Sequence, residues 1–386
     1  MPPLRPLIVF GTRPEAIKMA PVVQACRERP EVEPIVCVTG QHREMLDQVT
    51  DYFGIEPDVD LSLMRLNQSV AKVTARSLNG LDTVLANYRP DCVVVQGDTT
   101  TTAAAALAAF YRQIPLVHVE AGLRTGNLKS PWPEEMNRRV TTLATALHCA
   151  PTEHARRNLL CEGVPDEAIV VTGNTVIDAL RQTVRRERRR DRFWREKHDY
   201  LADRRMVLIT GHRRENIGQP MARICRAILM LAAEFPDVEF VFPLHLNPQV
   251  QEPVSRLLRR HADDNLHLLN PVDYPEFVWL LDRASLVISD SGGVQEEAAT
   301  LGKRVLITRE TTERPEVLQT GLAELVGADV RKIVERASVL LCDENLASSG
   351  VAANLYGDGQ AAPRIVDQML TRFVASGAPA RLRVAS

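Results

Sequence analysis

Short runs of consecutive apolar, mostly β-branched residues recur from one end of the chain to the other, separated by stretches with helical spacing. Leu7–Phe10, Ile35–Thr39, Cys92–Gln96, Leu116–Val119 and Ile169–Thr172 predict five strands in the first part of the chain. Met206–Thr210, Val238–Phe242, Leu266–Leu269, Leu286–Ser289 and Val305–Thr308 predict five more. A strand that is apolar throughout, with no alternation, belongs in a parallel sheet covered by helices on both faces. Ten such strands suit two doubly wound α/β domains better than one very wide sheet. The boundary is expected at Gly173-Asn174-Thr175, ahead of a long charged helix beginning at Val176. The domains are then 1–173 and 174–363, with an amphipathic helix from Pro363 to Val374 returning residues 364–386 to the first. The tail beyond Ser376 is expected to fray.

With 386 residues, of which 45% are hydrophobic, the chain can fill two cores of ordinary size. Its net charge of −2 gives no global attraction to nucleic acid or membrane. Leu7–Phe10 is too short for a signal-peptide core, and no apolar run approaches a membrane span. The seven cysteines are scattered and form no CxxC pair, which predicts core packing in a reducing cytosol. The arginine-rich segment 185–195 is interleaved with Glu187 and Asp191, so it predicts a solvated helix and loop rather than a nucleic-acid patch.

Chemistry-bearing residues collect where these strands end. Ser289-Asp290-Ser291-Gly292-Gly293 is a strand-to-helix turn without bulk, and its backbone N–H groups with the helix's positive end make a seat for phosphate. Glu296 and Glu297 are expected in the first helical turn, where one could hold ribose hydroxyls. Arg314, in Thr311-Thr312-Glu313-Arg314-Pro315-Glu316, offers a cation at the next strand end. Gly11-Thr12-Arg13-Pro14-Glu15 opens the first helix, with Pro14 expected at its first position and Lys18 about a turn on. An arginine and a lysine at a helix head suit a diphosphate leaving group. Asp98 follows Gln96-Gly97, Glu120 follows His118-Val119, and Glu134 opens a helix after Pro133. Asp98 has the alternative of capping its helix, although the threonines at 99–102 can do so themselves. Clustered carboxylates perturb one another and can supply both a general acid and a general base. Gln41 and His42 end the second strand, His212, Arg213 and Arg214 end the first strand of the second domain, and His245 ends its second. GxGxxG, GxxxxGK[ST] and HExxH are all absent, so the pattern calls for no nicotinamide, no P-loop chemistry and no metal.

The segments GTRPEAIKMAPV, TGQHREML, QGDTTTT, HVEAGLRTG, PWPEEMNR, TGNTVIDAL, TGHRREN, PLHLNP, SDSGGVQEEA and TTERPE, in this order, resemble the bacterial non-hydrolysing UDP-N-acetylglucosamine 2-epimerases. The likeness runs from Gly11 to the YGDGQA segment ending at Ala361, nearly the whole chain. It implies the GT-B fold, two Rossmann-like domains facing a cleft, and a cytoplasmic homodimer. It also implies reversible epimerisation of UDP-N-acetylglucosamine to UDP-N-acetylmannosamine, a precursor of cell-surface polysaccharide, without a cofactor. By the resemblance, Asp98, Glu120, Glu134 and His212 match the catalytic residues and Arg13 and Lys18 the cleft cations, while Arg213 would face the same cleft. Ser291, Gly292, Gly293, Glu297 and Arg314 match the UDP contacts. Gln41, His42, Arg214 and His245 fit the site at which some members take a second, activating UDP-N-acetylglucosamine. The implied route eliminates UDP to 2-acetamidoglucal and adds it back. Alternatives sharing the nucleotide site are a GT-B glycosyltransferase, a hydrolysing epimerase and a nucleotide-sugar sensor without turnover. The three carboxylates argue against the sensor, since binding a diphosphate alone does not call for them.

Overall fold

The computed structural model describes residues 2–40, 43–63, 68–211, 213–245, 248–259, 264–343 and 354–375. The chain divides into two compact units, Met1–Ala179 with Tyr356–Ser386, and Leu180–Leu355. The strands of the first are β1 (Pro6–Phe10), β2 (Ile35–Val38), β3 (Val59–Asp60), β4 (Cys92–Gln96), β5 (Leu116–Val119), β6 (Thr145–Ala150) and β7 (Ile169–Val171). Between them run α1 (Arg13–Arg27), α2 (Arg43–Phe53), α3 (Val70–Tyr88), α4 (Thr100–Tyr111), α5 (Glu134–Ala144) and α6 (Glu153–Cys161). After α7 (Thr175–Arg188) and α8 (Asp191–Lys197), the second unit holds β8 (Arg205–Thr210), β9 (Val238–Pro243), β10 (Leu266–Leu269), β11 (Leu286–Ser289), β12 (Arg304–Ile307) and β13 (Ala323–Leu325). Its helices are α9 (Gln219–Glu234), α10 (Pro248–Leu258), α11 (Tyr274–Arg283), α12 (Gly292–Thr300), α13 (Pro315–Gln319) and α14 (Val330–Leu341), and α15 (Ala361–Leu370) closes the series.

Both sheets are parallel throughout, ordered β3-β2-β1-β4-β5-β6-β7 and β10-β9-β8-β11-β12-β13. Two doubly wound α/β units are the expected fold class. β1 and β4 are buried at every position, as continuous apolar strands covered on both faces must be. Three strands escape the hydrophobic pattern. β3 is a two-residue edge, β13 carries Glu324, and β6 follows α5 without a break and contains Thr145, His148 and Cys149.

In a doubly wound sheet, ligands bind outside the carboxyl ends of the strands where the order reverses. The reversal falls between β1 and β4 in one unit and between β8 and β11 in the other. The loops there are Gly11–Thr12 and Gly97–Thr99 in the first unit, and Gly211 onward and Asp290–Ser291 in the second. Every candidate turn of interest therefore sits at a switch point or one strand beyond it.

α15 lies against α1 within the first unit, and Arg29 pairs with Asp367 at 2.6 Å. The arginine-rich segment departs from a merely solvated helix and loop. Arg188 makes a two-pronged pair with Asp282 of α11 at 2.7 and 2.8 Å, and Arg195 bonds Asp191 at 2.6 Å. Trp194 is buried, donates to Glu187 at 2.8 Å and stacks on Trp279 of α11. The segment is a brace on α11 whose charges are mostly neutralised by neighbours. Five cysteines are buried, with Cys161 and Cys342 exposed. Burial pushes the thiols of Cys26, Cys37, Cys149 and Cys225 up to about 12, so these four are inert packing groups. Among the described residues no helix is long and apolar enough to cross a membrane, and no cluster of side chains suits a metal.

Candidate active site

The β1–α1 turn is built around a buried carboxylate. Thr12 caps α1, Arg13 is its first residue and Pro14 its second, one place later than expected. Glu15 reaches back, accepting from the N–H groups of Gly11 and Thr12 at 3.0 and 2.8 Å. Its other oxygen accepts from Thr99 and Thr102 at 2.6 and 3.2 Å, so one side chain ties the β1–α1 turn to the β4–α4 turn. Burial pushes the Glu15 carboxyl up, and the bonds from Thr99, Gly11 and Thr12 pull against it. Gly11 has no room for a side chain: a Cβ there would lie 2.0 Å from the Thr39 hydroxyl. The signal for Glu15 was present in the sequence as a Thr-x-x-Glu capping box.

Glu120 is the hub of the first unit. It stands at φ 62°, in the left-handed region that a side chain with a Cβ seldom occupies. Such strain persists where surroundings over-determine it, and functional sites are where it collects. Lys18 places its ammonium 2.7 and 2.6 Å from the two carboxylate oxygens. Gln96 donates to Oε2, and Asn174 donates to Oε1 at 2.9 Å. Glu120 is 6% exposed, so these partners rather than water surround its carboxylate.

Asp98 does not cap α4; Thr99 does, accepting from the Thr102 N–H at 3.1 Å. Asp98 instead pairs with Arg138 of α5 at 2.7 Å, while Asn137 donates to its carbonyl at 2.9 Å. The same guanidinium bonds Glu135 at 3.0 Å, and that carboxylate also accepts from the N–H groups of Thr125 and Gly126. Glu134, beside it at the head of α5, carries a buried oxygen, Oε2, with no hydrogen-bond partner among the described residues. His118 donates from Nε2 to the Gly97 carbonyl at 2.7 Å, fixing the turn between Gln96 and Asp98. Burial holds His118 near 4, so the ring is neutral at ordinary pH. The three carboxylates thus meet three environments: an ammonium, a guanidinium, and a pocket with one unmet oxygen. That is a set able to give and accept protons.

The second unit holds the turn expected to seat an anion. Asp290, fully buried, accepts from the Arg213 N–H at 3.0 Å and from the Asn216 amide at 2.9 Å, shaping the loops at the switch point. Ser291 is the N-cap of α12 but its side chain makes no capping bond, which leaves the opening N–H groups of α12 untouched by it. Arg314 lies directly over Gly292, since a Cβ built there would stand 2.5 Å from its Nη1. Glu296 accepts from Arg314 Nε, and Glu313 lies 3.6 Å from Nη1 and 2.8 Å from Arg309. Burial raises the Glu313 carboxyl, and Arg314, Arg309 and Arg213 outweigh it to leave a value of about 2. Because α12 starts at Gly292, Glu296 and Glu297 fall in its second turn and not its first. Glu296 is taken by Arg314, whereas Glu297 accepts from the Tyr274 hydroxyl at 3.1 Å. Gln41, His42 and His212 lie outside the described residues, as does the side chain of Arg214; His245 is exposed after β9. Gln96, Arg138, Glu135 and Asn174 join the network although no sequence rule gave them a role.

Residues 24–370 match the family model for UDP-N-acetylglucosamine 2-epimerase. The chain is 52% identical over 371 residues to the UDP-N-acetylglucosamine 2-epimerase of Salmonella typhimurium, covering 95% of this chain and 98% of the relative. The crystal structure of the Neisseria meningitidis UDP-GlcNAc 2-epimerase bound to UDP-GlcNAc superposes with a TM-score of 0.92 at 46% identity, over 96% of this chain and all of that one. A co-structure of S. aureus MnaA with UDP gives 0.88 at 42% identity, over 95% and 96% of the two chains.

Proposed function

The chain belongs to the UDP-N-acetylglucosamine 2-epimerase family, and from that premise we propose that it is an isomerase interconverting UDP-N-acetylglucosamine and UDP-N-acetylmannosamine. The observations that carry the reading are a braced carboxylate set in the first unit and, in the second, a helix N-terminus under Arg314. The C2 hydrogen of the sugar is not acidic, so a direct proton exchange faces a very high barrier. Departure of UDP from C1 gives that carbon oxocarbenium character and acidifies C2. A carboxylate then removes the proton, leaving 2-acetamidoglucal and UDP. Proton delivery to the opposite face of C2 regenerates the cation, and the β-phosphate oxygen closes on C1. The route needs an acid and a base on two sides of one ring, with cations and backbone donors holding UDP throughout.

In this reading Asp98, Glu120 and Glu134 exchange the protons, with His212 assisting. Ser291, Gly292, Gly293 and Arg314 bind the diphosphate, Arg13 and Arg213 stabilise it as it leaves, and Glu297 holds the ribose. Lys18 acts through Glu120, its ammonium holding both oxygens of that carboxylate in place. Gln41, His42, Arg214 and His245 would take a second nucleotide sugar as an activator. A homodimer is supported by Phe110, Tyr111 and Leu143, which stand exposed on the neighbouring helices α4 and α5. A cytoplasmic enzyme feeding cell-surface polysaccharide is the setting such a product fits. Incubation with UDP-N-acetylglucosamine followed by proton NMR should show UDP-N-acetylmannosamine growing to a fixed ratio. Free N-acetylmannosamine with UDP would identify a hydrolysing enzyme, and unchanged substrate a sensor.

A further inference from the structure

Asn174 sits at the head of α7 with 1% exposure. Its amide orientation is fixed, because the Val176 N–H donates to Oδ1 at 3.2 Å and so turns Nδ2 toward Glu120 Oε1, 2.9 Å away. Its backbone is held equally firmly. The Asn174 N–H donates to the Tyr356 carbonyl at 2.6 Å, and Gly173, at φ 88°, lies so close to Gly357 that a Cβ would stand 3.1 Å from its Cα. These are the stretches where the chain leaves the first unit and returns to it. Asp178, one turn on, accepts from the N–H groups of Ala361 and Ala362 and ties α7 to the start of α15. An amide anchored at so many points is a rigid post for whatever it touches.

Resting on the reading of Glu120 as an acid–base carboxylate, we propose that Asn174 is a positioning residue for it, holding one oxygen so that the other, with Lys18 and Gln96, faces the sugar. The left-handed backbone at Glu120 makes such a post necessary, since the carboxylate has a more relaxed conformation to return to. Capping α7 is the other task open to Asn174, and the two can be separated. Asn174→Ser and Asn174→Asp both keep an acceptor for Val176 and lose the bond to Glu120, the serine hydroxyl because it is one bond shorter and the aspartate because it has no donor. Asn174→Asp also places a second carboxylate within hydrogen-bond distance of the first.

The experiment measures kcat and KM for epimerisation of UDP-N-acetylglucosamine by the full chain across pH, with UDP affinity and melting temperature as controls. Asn174→Ser should lower kcat about ten- to a hundred-fold, the worth of one hydrogen bond to a charged group. KM and UDP affinity should stay within about two-fold of the parent, since neither depends on proton transfer. Asn174→Asp should lose more activity and move the acid limb of the kcat profile to higher pH, because a neighbouring negative charge favours protonated Glu120. In a Glu120→Gln background Asn174→Ser should cost nothing further. Parental kcat in both cap-preserving variants, or full additivity with Glu120→Gln, would overturn the proposal alone. A parent chain without epimerase activity would overturn the reading of Glu120 and the proposal with it.

Discussion

Replacing Gly292 by alanine should weaken UDP binding and lower the melting temperature of the free protein while leaving it folded. The added Cβ would stand 2.5 Å from Arg314 Nη1 and 2.9 Å from Cζ, well inside contact distance. Arg314 cannot simply swing clear, because it is buried with Glu296 on its Nε and Glu313 beside its Nη1. Its guanidinium must withdraw from the mouth of α12, and a phosphate seated there loses a charge-assisted hydrogen bond. That loss is worth about 1.5–3 kcal/mol, or roughly ten- to over a hundred-fold in Kd. Gly292 is the first residue of α12 and has no positive φ, so alanine itself fits the backbone. Glycine to alanine in a helix favours folding by up to about 1 kcal/mol, less than the about 3–5 kcal/mol that disrupting a buried ion pair can cost, so the melting temperature should fall. Titration calorimetry with UDP, beside a melting curve of the free protein, reads both quantities. A parental Kd in a folded Gly292→Ala protein would refute the reasoning and put the diphosphate elsewhere.

Arg138→Met removes one guanidinium from both Asp98 and fully buried Glu135, and breaking a buried pair from one side costs about 3–5 kcal/mol by urea unfolding. Glu135→Gln in the same chain should restore part of that loss; a cost below about 1 kcal/mol would mean the Thr125 and Gly126 N–H groups hold Glu135 unaided. His118 and His148 stand opposite each other in β5 and β6, and burial lowers them to about 4 and about 3. The unfolded chain, with histidines near 6.5, takes up protons that the fold refuses. Their contribution is therefore complete above about pH 6.5 and declines as pH falls toward 4. His148→Leu should flatten the fall in melting temperature between about pH 7 and 5, and equal slopes in the two proteins would contradict this.

The strand ends were legible because parallel strands buried on both faces are written as unbroken apolar runs, as in Cys92–Gln96 and Leu286–Ser289. Strand β6 was not, since His148 and Cys149 interrupt the aliphatic pattern and α5 leads into Thr145 without a glycine or proline. Turn chemistry was read more readily than partnership. Asp98 and Glu120 announce themselves by position, but Lys18 meets Glu120 across 102 residues, and Asn174 meets it across 54. No spacing rule encodes those contacts; they follow from the order in which the sheet winds. Glu15 had a local signature in its capping box, yet its bonds to Thr99 and Thr102 depend on β1 and β4 being neighbours. The arginines of 185–195 were read as a solvated helix and loop, and nothing local showed that Trp194 would be buried against Trp279.

In the proposed route the anomeric C–O bond breaks and C2 exchanges its proton with the protein during one turnover. Substrate carrying an oxygen label in the bond between C1 and the β-phosphate, turned over in heavy water, tests both parts at once. Deuterium is expected at C2 of the UDP-N-acetylmannosamine formed, together with migration of the label into the non-bridging positions of the β-phosphate. Asp98→Asn and Glu120→Gln should depress turnover by about 10²–10⁴, the usual worth of one acid–base group, while UDP affinity changes far less. Epimerised product with the label still confined to the bridging position would contradict the account, because C2 would then have inverted without UDP ever leaving.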